Sequence, residues 1–183
     1  MNEAMGVKVM FVVLSLLLAL AGGRDEAWAT VGRVEVHVTD HRPGKADFSA
    51  LEVALGEVTL HPAAQPRGGG WVALVHDTPA VDIVPLVDGR SAWVGEADVE
   101  ATRYDAVRVR FGTIQARLRG SGRAVVVPRG SALAVDLSVA AGAVSRILID
   151  LYVEDQRDHH PDQYALAVRA VRVEQPARQP LRQ

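Results

Sequence analysis

The sequence predicts an all-β fold, a sandwich or barrel of short strands behind an export leader. Three observations carry that reading. Apolar residues recur at every second position through most of the chain, turn-forming clusters separate these runs at short intervals, and a brief apolar stretch near the start ends in small residues. Period two marks a strand with one dry and one wet face, and several such strands broken by turn chemistry build a sandwich or barrel.

The leader comes first. The run Val9 to Ala21, VMFVVLSLLLALA, follows Lys8 and is closed by Gly22-Gly23-Arg24-Asp25-Glu26. A membrane span needs about 20 apolar residues and a signal-peptide h-region about 7–15, so the length of the run predicts a leader. Ala27-Trp28-Ala29 places small residues before Thr30, with Ala19-Leu20-Ala21 as an alternative cleavage site. The competing reading is a buried core helix or an uncleaved anchor. The expected division is therefore a signal peptide over 1–29, a β domain over 30–174 and a polar tail over 175–183. The expected location is the periplasm or the extracellular or cell surface, with no transmembrane segment after cleavage.

The strands follow in order. Val34, Val36 and Val38 alternate with Arg33, Glu35, His37 and Thr39. Further runs of the kind are Leu51 to Leu60, Trp71 to Val75, Val81 to Val87, Ala92 to Val99, Tyr104 to Leu118, Arg123 to Val127, Leu133 to Val139, Val144 to Val153 and Tyr164 to Val173. Between them lie His41-Arg42-Pro43-Gly44, Gln65 to Gly70, Asp88-Gly89, Gly120-Ser121-Gly122 and Pro128 to Ser131, all turn chemistry. In the long run from Tyr104, Val107, Val109 and Phe111 keep one phase and Ile114, Ala116 and Leu118 the other. An extra residue at Gly112-Thr113 restores a single dry face, which predicts a bulge there, and Gly56 predicts a second.

Composition narrows the function classes. The chain has no cysteine, which removes thiol nucleophiles, iron–sulfur clusters, zinc knuckles and lipidation through an N-terminal cysteine. The formal charge is −2, and the leader holds two of the cations and three of the anions, so the remainder is close to neutral. Neither nucleic acid nor an anionic membrane surface is an expected partner. Nucleophile-elbow, phosphate-loop and His-Glu-x-x-His motifs are absent from the sequence.

The order of segments resembles DUF4382, a bacterial and archaeal family of exported domains of unknown function. Val36-His37-Val38-Thr39-Asp40, Trp71, Val81-Asp82-Ile83, Tyr104 to Val109, Val127-Pro128-Arg129-Gly130 and Ile147-Leu148-Ile149-Asp150 stand in the places of that family's ordered motifs. The resemblance runs from about Val31 to Val173. It implies an exported antiparallel β-sandwich, immunoglobulin-like or transthyretin-like and often associated with the cell surface. It implies no activity and brings no catalytic residues.

Candidate chemistry is sparse. Asp155, Asp158, His159 and His160 sit in one loop, where carboxylates would favour Ca²⁺ and imidazoles Zn²⁺; the alternative is a solvated hairpin tip. Asp40 is expected to accept backbone N–H groups from the turn that follows it. His37 and His41, four apart on a strand, are too far from each other to share a metal. Tyr104 is expected to act as a corner tyrosine bonded to the preceding connection. Asp82 and Asp150, inside apolar strands, are expected to face outward or pair with an arginine such as Arg108. Trp71 and Trp93 could form an aromatic platform for sugars, with at least one of them expected in the core.

The function these readings predict is a non-enzymatic module, serving in binding, adhesion or envelope structure, with an envelope protein or glycan as partner and no cofactor. The alternative is a metal-binding domain or metal-dependent hydrolase using a divalent cation in the Asp155 to Asp162 loop.

Overall fold

The computed structural model describes residues 30–40, 47–66, 68–120, 124–158 and 163–174. The predicted leader, the predicted tail and residues 41–46, where the sequence predicts a turn, lie outside the described residues. Within them the chain forms ten strands and no helix: β1 (Val31–Asp40), β2 (Phe48–Pro62), β3 (Val72–His76), β4 (Val81–Asp82), β5 (Ser91–Glu100), β6 (Arg103–Leu118), β7 (Val125–Arg129), β8 (Ser131–Ser138), β9 (Val144–Asp155) and β10 (Gln163–Glu174). Two sheets pack as a sandwich. The first runs β5-β1-β9-β10-β7, and the second runs β3-β2-β6-β8, with β4 paired to β2.

Alternation does what the sequence predicts. Val34, Val36 and Val38 of β1 point inward with Ile147, Ile149, Leu151 and Val153 of β9, against Leu51, Val53, Leu55, Val58 and Leu60 of β2 and Val107 and Val109 of β6, all buried in one cluster. Each such side chain contributes about 1.5–3 kcal/mol on burial. Phe48 of β2 meets Tyr164 of β10 edge to face with ring centroids 4.7 Å apart, so an aromatic pair joins the two sheets.

The predicted bulges are present and they face each other. Val53 pairs with Ile114 and Leu55 with Phe111, so Gly112 and Thr113 stand against the single residue Ala54 and β6 has one extra residue there, while Gly56 is extra on β2 before Glu57 pairs with Arg110. A Cβ on Gly56 would sit 3.4 Å from the Gly112 nitrogen, so the two insertions lie back to back and the dry face survives the phase change.

The structure corrects the sequence reading in two places. The sandwich is mixed, because β1 runs parallel to β9 and β10 parallel to β7. The segment Val81 to Val87 is a strand only at Val81–Asp82. Beyond it Asp82 Oδ1 accepts from the Val84 N–H at 3.0 Å and the Leu86 N–H donates to the Ile83 carbonyl at 3.2 Å, a turn that crosses from one sheet to the other.

Candidate functional site

Three polar constellations stand out, and the best formed lies on the outer face of the second sheet. Leu60 points into the core, so the next residue of β2, His61, points out. It pairs with Ala106 of β6, and Asp105, which matches no β2 residue, is the bulged residue beside it. That bulge brings the carboxylate within reach: His61 Nδ1 lies 2.7 Å from Asp105 Oδ1, and His61 Nε2 lies 3.1 Å from the Pro66 carbonyl oxygen. Both partners are acceptors, so each ring nitrogen bonds its partner when it carries a proton. The imidazole is 1% exposed, and with both nitrogens engaged it has none left to exchange a proton with a substrate.

Around this pair Trp71 stands 5.2 Å from the His61 ring, centroid to centroid, and the Arg108 guanidinium lies 3.9 Å over the indole. His61, Trp71, Asp105, Ala106, Ala132, Leu133 and Ala134 line an open pocket of about 250 Å³. Ala132 and Ala134 are exposed, so β8 carries no long side chain at those two positions.

The second constellation contains the acidic loop. Arg157 Nε donates to both oxygens of Asp155, at 2.9 and 3.0 Å, and the Arg157 backbone N–H donates to Asp155 Oδ1 at 3.0 Å. These bonds hold the Asp155 carboxyl down at about 2. Arg157 also reaches Asp47 Oδ2 at 2.7 Å, and the Tyr164 hydroxyl donates to the same oxygen at 3.0 Å. Burial first, then that bond, pushes the Tyr164 hydroxyl up to about 12. Asp155 is thus engaged by Arg157, Asp158 is exposed, and His159 and His160 lie outside the described residues. Among the described residues no three acidic or imidazole groups are placed to hold a metal ion.

The third gathers Asp40, at the end of β1, and Asp150, in the middle of β9, in a cleft bounded by the Val87 to Gly89 turn and Arg172 of β10. The turn from which Asp40 was expected to draw N–H groups lies outside the described residues, as does His41. His37 bonds Glu35 at 3.4 Å.

The remaining candidates resolve individually. The Tyr104 hydroxyl donates to the Glu100 carbonyl at 3.0 Å, as a corner tyrosine does, and burial raises its pKa. Asp82 Oδ1 takes the Leu51 N–H at 3.1 Å, so its partners are backbone groups and not Arg108, which is stacked on Trp71. Asp150 does not face solvent; it is 6% exposed. The expectation of a core tryptophan fails, since Trp71 is half-buried and Trp93 is 55% exposed. They belong to opposite sheets and form no shared platform. The His61–Asp105 pair escaped the sequence reading because its members are 44 residues apart and only the strand register joins them.

The architecture and the sites define a two-sheet β-sandwich module. The family described as domain of unknown function DUF4382 matches residues 31–167, and the chain belongs to it. No curated protein and no solved structure matches the chain.

Proposed function

We propose that this chain is an exported, non-enzymatic binding module whose ligand site is the pocket beside Trp71. The observation that carries the reading is the way that pocket is built. A fully engaged His61–Asp105 pair fixes one wall, the indole forms another, and small alanines leave the sheet accessible. At about 250 Å³ it falls below the roughly 300–1,000 Å³ of sites for drug-sized ligands, so it takes a single ring or a short side chain. Asp105, with a side chain 36% exposed, keeps a carboxylate edge available to accept hydroxyl hydrogens. A neutral, hydroxyl-bearing ring, such as one sugar unit of an envelope glycan, fits that mixture of small apolar side chains and acceptor rim.

The test is fluorescence and NMR titration of the purified domain with methyl glycosides of common envelope sugars. Saturable changes that disappear in Trp71→Ala and in Ala134→Leu, which fills the pocket, support the reading. No response to any glycoside at millimolar concentration sinks it. Export is tested separately by fusing residues 1–40 to a reporter active only outside the cytoplasm.

A further inference from the structure

Arg108 stands outside the Trp71 pocket but against two of the residues that line it. It pairs with Ala132 between β6 and β8, so the two side chains share the outer face of the sheet with Cβ atoms about 4.5–5.5 Å apart, and its guanidinium lies 3.9 Å over the Trp71 ring. Ala132 and Trp71 both line the pocket. The cation therefore sits on the rim.

Its sister arginines on β6 are treated differently. Arg103 reaches Asp136 at 3.1 Å and Arg110 reaches Glu57 at 2.6 Å. Both of those arginines are exposed, whereas Arg108 is half-buried, yet no carboxylate or other hydrogen-bond acceptor meets its guanidinium among the described residues. A guanidinium carries five N–H donors, and its attraction to the face of an indole occupies no acceptor. What the stack does is hold the side chain in place, which lowers the ordering entropy that a partner must overcome. Donors fixed in this way and partly withdrawn from water complement a carboxylate, which a guanidinium can grip with two parallel bonds.

The charges limit what the partner can be. Asp105, which lines the pocket, is bonded to His61 at 2.7 Å, and its carboxylate disfavours a second negative charge inside, so the ring within the pocket stays neutral and an anion belongs at the rim. One guanidinium matches one unit of charge, that of a carboxylate, better than the near-double charge of a phosphate monoester. We infer that the ligand is an acidic glycan, with a neutral sugar unit in the pocket and the carboxylate of an adjoining uronic acid unit on Arg108. The inference rests on the reading of the Trp71 pocket as a sugar site.

Calorimetric titration of the purified chain with matched disaccharides tests it: cellobiose against cellobiouronic acid, and gentiobiose against gentiobiouronic acid. Within each pair only the C6 group of the non-reducing unit differs, a hydroxymethyl or a carboxylate. The expected result is that in at least one pair the acid binds about tenfold tighter or more. That preference should shrink at 1 M NaCl, where exposed charges are screened within about 3 Å, and vanish in Arg108→Gln. The salt series needs no variant, and thermal melts report whether Arg108→Gln is folded. Neutral and acidic members binding equally would overturn the inference and leave the pocket reading standing, whereas binding by neither at millimolar concentration sinks both. The assignment also fails if the preference survives in folded Arg108→Gln, if 1 M NaCl leaves it unchanged, or if cellobiose 6′-phosphate binds as tightly as the acid.

Discussion

His61 and Asp150 are both buried polar side chains on the outward surface of a sheet, and they are treated in opposite ways. His61 has a carboxylate on one nitrogen and a carbonyl on the other, and it holds the β2–β3 connection against the sheet. Among the described residues, Asp150 has an oxygen with no donor. A buried polar group that is fully satisfied rigidifies its surroundings, whereas one left open opposes folding. The first arrangement is that of a structural clamp, and the second is that of a buried oxygen whose desolvation folding has to bear.

The largest expected effect tests the clamp. His61→Ala removes a bond to a carboxylate, a bond to a carbonyl and a packed ring, and urea denaturation should read a loss of about 3 kcal/mol; a loss below about 1 kcal/mol would place the clamp on a par with the open carboxylate. Asp105→Asn should cost less, about 1–2 kcal/mol, since that side chain is partly exposed and solvent screens it. Asp150→Asn should move the other way, leaving stability unchanged or raising it by about 1 kcal/mol, because it discharges a buried oxygen that has no donor among the described residues. A clear destabilisation by Asp150→Asn would erase the contrast.

Tyr164 and Asp155 supply controls that titrate. A hydroxyl raised from 10 to about 12 contributes stability that is complete below pH 10 and declines as the pH climbs toward 12. Tyr164→Phe should lose about 1 kcal/mol at neutral pH and flatten that alkaline decline in pH-dependent melts. Asp155 has the reverse sign. Its carboxyl, lowered from 3.8 to about 2, contributes stability that is complete above pH 4 and is lost as the pH falls through 2. The pair is exposed, so Asp155→Asn should produce the smallest change of the series, visible only as a shallower acid limb of the melting curve.

The fold was legible because period-two burial is local: each valine of β1 or β9 reports its own face. The bulges at Gly56 and Gly112 were legible for the same reason, as breaks of phase around residues that tolerate them. The end of β4 was not, since Ile83, Leu86 and Val87 are as apolar as a strand and only the capture of the Val84 N–H by Asp82 turns the chain away. Trp71 misled because its size argues for burial, while its position opposite His61 on the wet face decided otherwise. The candidate site depends on register between strands far apart in sequence, Asp105 with His61, and no local pattern encodes that.

The parallel seating of β1 against β9 bears on the order in which the molecule can assemble. More than a hundred residues separate Arg33 from its neighbour Val144, and contacts of such long range make for slow folding. Until the ninth strand arrives, the opening strand has only β5 beside it, with its other backbone edge unsatisfied. A chain emerging from its first residue onward therefore waits, open along that seam, for nearly its whole length to follow, and a partner able to cover that edge in the interval would protect it from pairing with a second copy.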